Sequence, residues 1–155
     1  MPTIVVGYDG SPPAEAALAR GIERAASGGR LLIVHAWLPP RILQGSTTYG
    51  VLAAWSYERA ELELERLPET HPALAAVEWE ARVIEGSAPK ALAALARDVG
   101  ADEIIVGSNG AGRAGALLGS VAHGLLHTAA CPVTVIPRRA HEPDRDPAAD
   151  TEATA

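Results

Sequence analysis

The chain has 155 residues, 48% of them apolar, which fits one domain with a real core and excludes wholesale disorder. Its formal net charge of −6, with Lys90 as the single lysine, argues against nucleic acid as a partner, because phosphate backbones are held by excess Lys and Arg. With 4% aromatic residues, no Phe and one cysteine, the core must be aliphatic and no internal disulfide can form, which fits a reducing, cytoplasmic setting.

Met1-Pro2 runs straight into an aliphatic first strand, Thr3–Gly7, with no basic stretch or cleavage site of a signal peptide. Nowhere does an apolar run approach the roughly 20 residues that span a bilayer, so no membrane partner is expected. After the first strand comes Gly7-Tyr8-Asp9-Gly10-Ser11-Pro12. Ser11 is a helix N-cap with Pro12 at the favoured first position. Asp9, a carboxylate at a strand end, either caps a turn, accepts hydrogen bonds from ligand hydroxyls or holds a metal ion.

Helical spacing over Ala14–Ala26 leads to a second strand, Leu31–Trp37. The segment Leu38–Tyr49, with Pro39-Pro40 and Gly45-Ser46-Thr47-Thr48, reads as a mobile loop. A helix over Val51–Leu67 and a third strand, Val77–Glu85, follow. That strand alternates, putting Glu78, Glu80 and Arg82 on one solvated face, the pattern of a charged sheet edge. A helix over Pro89–Val99 and a fourth strand, Glu103–Gly107, precede a loop holding five glycines between Gly107 and Gly119. A last helix, Ser120–Ala129, and a fifth strand, Pro132–Ile136, complete the fold. Residues 1–137 read as the domain and 138–155, polar and rich in Pro, Asp and Ala, as a disordered tail.

Strand–helix alternation predicts an α/β fold, a single doubly wound five-stranded parallel sheet with helices on both faces. The first, second and fourth strands are apolar on both sides, as covered strands must be. With right-handed crossovers and the charged third strand at an edge, the order is 3-2-1-4-5 rather than 2-1-3-4-5. A topological switch point then lies between the first and fourth strands, and ligands of open α/β sheets sit at the carboxyl ends of such strands. The glycine-rich loop lies there. Glycine lets amides approach an anion and permits positive φ, and Gly119-Ser120 opens a helix whose free N–H groups favour phosphate.

Two familiar phosphate loops do not fit. Gly110-Ala111-Gly112-Arg113-Ala114-Gly115 matches G-x-G-x-x-G, but it follows the fourth strand and no acid ends the fifth. A Walker loop needs a lysine that this one lacks. A phospho-receiver is also excluded, because the third strand ends Ile84-Glu85-Gly86 without an Asp and the fifth Ile136-Pro137-Arg138 without a lysine.

The residues Ile4-Val5-Val6-Gly7-Tyr8-Asp9-Gly10-Ser11, Leu32-Ile33-Val34-His35-Ala36, Glu85-Gly86-Ser87-Ala88-Pro89 and Ile105-Val106-Gly107-Ser108, with the ending Leu118-Gly119-Ser120-Val121-Ala122 and Cys131-Pro132-Val133-Thr134-Val135-Ile136, resemble the universal stress protein family, specifically its ATP-binding branch. The resemblance covers roughly residues 3–137. It implies that Asp9 holds ribose or a metal-linked polar network and that main-chain groups near Gly7 and Ala36 line adenine. Gly107, Gly110, Gly119 and Ser120 would cradle the phosphates, with Val121 beside them. The implied ligand is ATP with Mg2+ or Mn2+. The family's phosphate motif, G-x2-G-x9-G-S/T, is one residue shorter here, since eight residues separate Gly110 from Gly119.

No general base stands beside the loop, so little or no hydrolysis is expected: a stress-response binding module rather than an enzyme. The alternative is a dimeric interaction scaffold that has lost its nucleotide. His123 and His127, spaced i, i+4, have no acid or Cys nearby in sequence and read as solvent-facing or packing side chains. His35 reads as a satisfied core histidine, Cys131 as a small hydrophobe and Arg113 as an exposed arginine. The uncharged fifth strand, bounded by Pro132 and Pro137, predicts a homodimer through that edge, the assembly the resemblance also implies.

Overall fold

A computed structural model gives the architecture, and it describes residues 1–39, 47–108 and 118–137. Five parallel strands, β1 (Thr3–Gly7), β2 (Arg30–Trp37), β3 (Glu78–Glu85), β4 (Glu103–Gly107) and β5 (Val133–Ile136), form one sheet in the order β3-β2-β1-β4-β5. This is the expected order, and the charged strand is at the edge.

Strand alternation divides the core into two layers. Ile4 and Val6 of β1 and Tyr8 just beyond it, with Leu31 and Ile33 of β2 and Ile105 of β4, face one side. There they pack under α1 (Pro12–Ala25), α2 (Thr47–Glu65) and α3 (Leu67–Thr70). Val5, Leu32, Val34, Ile104 and Val106 face the other side, under α4 (Ala88–Asp98) and α5 (Ser120–Thr128). The three central strands are fully covered, as their unbroken aliphatic runs require.

The structure corrects three details. Helix α2 begins at Thr47, taking in residues assigned above to a loop; of the rest of that loop, Leu38 and Pro39 are irregular and 40–46 lie outside the described residues. The helical stretch expected to end at Leu67 breaks at Arg66 into α3 and a 3-10 turn, Pro72–Ala76, each with a proline in its first two positions. Proline has no N–H to continue a preceding helix. The break has a use, for Leu67 and Leu74 are thereby brought fully into the core. At the β3 edge, Glu80 is half-buried rather than fully solvated, and it pairs with Arg30 and Arg82. The Arg82 guanidinium holds the Glu80 carboxyl below the usual carboxylate range. The tail, 138–155, lies outside the described residues.

Candidate functional site

A cleft opens at the carboxyl ends of β1 and β4. Its walls include Gly7 and Asp9 from the β1 exit, Val34 and Ala36 from β2, Gly107 from the β4 exit and Val121 from α5. Parallel pairing explains the meeting: β1 joins β2 on one side and β4 on the other, so crossovers leave β1 and β4 in opposite directions and the crevice stays uncovered.

The β1 exit is fixed by its own side chains. Asp9 Oδ1 accepts from the Ser11 N–H at 3.0 Å and from the Ser11 hydroxyl at 2.5 Å. Ser11 Oγ in turn accepts from the Ala14 N–H at the start of α1, the cap expected there. Gly10, at φ +72°, makes the reversal that an L side chain would resist. Among the described residues Asp9 Oδ2 has no partner, which leaves one carboxylate oxygen to face a ligand.

Beneath this turn runs a polar chain that sequence reading did not anticipate. Tyr8 is buried, and its hydroxyl donates to Glu15 of α1. His71 Nε2 stands 2.6 Å from the same carboxylate, and its Nδ1 lies 2.8 Å from Thr70 Oγ1. Burial, reinforced by the Glu15 carboxylate, pushes the Tyr8 phenol above its ordinary pKa. His35 is not the satisfied histidine expected. Its Nδ1 is buried without a hydrogen bond among the described residues, and Glu63 Oε2 is 4.0 Å away.

The β4 exit is built from backbone. The Ser108 N–H donates to Ile136 C=O, and the Gly119 N–H donates to Ser108 C=O. The second bond closes the stem of the glycine loop and holds the start of α5 against the end of β4. Of the amides in the first turn of α5, His123 already donates to Gly119 C=O, whereas those of Ser120, Val121 and Ala122 have no intrahelical acceptor. A helix N-terminus of this kind attracts anions.

Gly7, Asp9, Ala36, Gly107 and Val121 are thus brought to one cleft, while Gly119 and Ser120 stand beside it at the helix start. Gly110 lies outside the described residues. At two glycines the backbone adds to or narrows the reason read from the sequence. A Cβ on Gly107 would lie 2.7 Å from the carbonyl carbon of Pro13, so Gly107 is bare to admit α1. Gly119 has φ −72°, a value open to any residue, so no positive φ explains it. Sequence reading missed Tyr8, Ser11, Ala14, Val34, Ala88, Leu92 and Val106 as cleft residues. The period-2 alternation of the strands could have supplied Val106, but only helix docking supplies Ala88 and Leu92.

Comparison with known proteins agrees with this geometry. The model of the universal stress protein family matches residues 1–137. A universal stress protein of Thermus aquaticus is 34% identical over 137 residues, covering 86% of this chain and 97% of that protein. Among solved structures, universal stress protein UspA from Lactobacillus plantarum superposes with a TM-score of 0.76 at 18% identity, over 87% of this chain and 97% of that one. A universal stress protein solved in complex with cAMP is 32% identical, with a TM-score of 0.64, over 87% of this chain and 96% of its own.

Proposed function

Because the chain belongs to the universal stress protein family, we propose that it is an adenine-nucleotide-binding module of the stress response, that ATP is its ligand, and that it turns ATP over slowly or not at all. The observation that carries this reading is the pairing of unlike chemistries across one cleft. The β1 exit offers a carboxylate oxygen suited to ribose hydroxyls, and the β4 exit offers free amides suited to phosphate. The cAMP complex of a relative 32% identical supports an adenine nucleotide in particular.

Mg2+ or Mn2+ fits as an ion carried in by the phosphates. Among the described residues no cluster of three or more His, Cys, Asp or Glu forms a cation cage. Mg2+ is commonly held by one or two carboxylates together with substrate phosphates, and Asp9 Oδ2 is such a group. The ion would neutralise phosphate charge, while Asp9 and the α5 amides position the nucleotide. Among the described residues the one carboxylate lining the cleft, Asp9, is the group assigned here to ribose or the ion rather than to water, which supports weak turnover.

The test is thermal unfolding with Mg2+ and ATP. At about 100 times Kd, a ligand bound only by the native state adds about 2.7 kcal/mol, raising Tm by roughly 5–10 °C for a domain of this size. ADP should give a smaller shift and NAD none. Absence of a shift at millimolar ATP would favour the scaffold that keeps the fold without a nucleotide.

The same reading makes the protein a homodimer through β5. Ile104 N–H donates to Pro132 C=O and Ser108 N–H to Ile136 C=O, so the even-numbered residues of β5 spend their backbone groups on β4. Those of Val133 and Val135 therefore point outward, and a second β5 across a two-fold axis would satisfy them. Val135→Pro removes an outward N–H and leaves the β4 ladder intact. Light scattering should then report a monomer where the unaltered protein is a dimer. A monomeric unaltered protein at micromolar concentration would sink the assignment.

A further inference from the structure

We propose that His123 and His127 form a surface binding site for a late first-row divalent transition ion, Cu2+, Ni2+ or Zn2+, on the outer face of α5. Sequence left open which way these residues point, and the structure settles that. Ala122 and Leu125 of α5 are fully buried, whereas His123 and His127 are both exposed. One helical turn apart, the two imidazoles meet edge to face with ring centroids 5.0 Å apart. Among the described residues neither ring takes part in a hydrogen bond or an ion pair. Two rings with free nitrogens stand side by side on a rigid helix, engaged only with each other.

A metal bound to both nitrogens at about 2.05 Å needs them roughly 3 Å apart, a span within side-chain rotation for rings already in contact. Imidazole is a borderline ligand that suits Cu2+, Ni2+ and Zn2+, and the Irving–Williams order puts Cu2+ first. Two protein ligands leave the remaining coordination positions to water, so the site is open rather than structural. Its position also helps. His127 lies in the last turn of α5, where the helix dipole favours positive charge. Packing on the inner side, with Gly124 against Pro89 of α4, anchors the helix, so the two ligands are held in register before metal arrives. The site is independent of the nucleotide cleft and of any Mg2+ or Mn2+ there, which prefer oxygen ligands.

The decisive experiment is titration of the full chain with Cu2+, followed by electron paramagnetic resonance, with Zn2+ as competitor. The expected result is one high-affinity ion per chain, with hyperfine couplings from two imidazole nitrogens. Once one imidazole is bound, the other binds intramolecularly, so His123→Ala and His127→Ala should each lose roughly 100-fold in apparent affinity. Both positions are exposed, and circular dichroism should show each variant folded as before. His141, a histidine of the 138–155 tail, serves as the control, and His141→Ala should bind as the unaltered chain does. If His127→Ala binds as tightly as the unaltered protein, or if His141→Ala is the variant that loses the ion, the assignment is wrong.

Discussion

The chain leaves β1 and β4, neighbours in the sheet, by two different devices. After β1 the turn is short and held by side chains: Asp9 is bonded twice to Ser11, and Ser11 caps α1. After β4 the path is long, and its two ends are closed by one backbone bond between Gly119 and Ser108. The first device fixes a carboxylate. The second fixes a helix start and leaves the amides of Ser120, Val121 and Ala122 without an acceptor among the described residues. A binding site for a molecule with hydroxyls at one end and phosphates at the other needs both.

The glycines that begin the two exits differ as well. A Cβ on Gly7 would meet side-chain atoms of Leu92 and Val106 at 3.0 Å, whereas one on Gly107 would meet Pro13, including its carbonyl carbon at 2.7 Å and oxygen at 2.9 Å. Side chains can yield; the backbone of a helix start cannot. Gly107→Ala should therefore cost about 3 kcal/mol in urea unfolding, against about 1 kcal/mol for Gly7→Ala. Equal costs would break the contrast and return Gly107 to a purely ligand-facing role.

A smaller effect is expected at the far end of the second device. Gly119→Val tolerates the observed φ of −72° but places a branched side chain where phosphate must approach the amides. Nucleotide affinity should fall roughly tenfold or more, read as a lost ATP-induced shift, while Tm without nucleotide changes little. Gly110→Val should act in the same direction. Normal ATP binding by both variants would mean that the phosphates lie elsewhere.

The smallest effect tests the first device. Ser11→Ala removes the cap of α1 and one of the two bonds to Asp9 Oδ1, leaving the N–H bond in place. Stability should drop by about 1 kcal/mol in urea unfolding. Nucleotide binding should weaken only slightly, because Asp9 keeps its backbone anchor. A binding loss as large as that of Gly119→Val would show that the carboxylate depends on the hydroxyl for its place.

What sequence alone determined was whatever depends on neighbours along the chain. Aliphatic runs without polar alternation mark β1, β2 and β4 as covered strands, the alternation of Glu78, Glu80 and Arg82 marks β3 as an edge, and Ser11-Pro12 marks a helix start. From these the strand order and the switch point follow, and with them the placing of Asp9 and Gly107 at one cleft; Gly7, Ala36 and Val121 came from the family resemblance. Tertiary structure decided what depends on elements far apart in sequence. Only the docking of α1 on β4 reveals that Gly107 makes room for Pro13, and only the packing of α3 brings His71 to Glu15, 56 residues away. Rotation of α5 about its axis, set by Ala122 and Leu125 entering the core, turned His123 and His127 outward. Spacing says that two side chains share a helix face; burial of the opposite face says where that face looks.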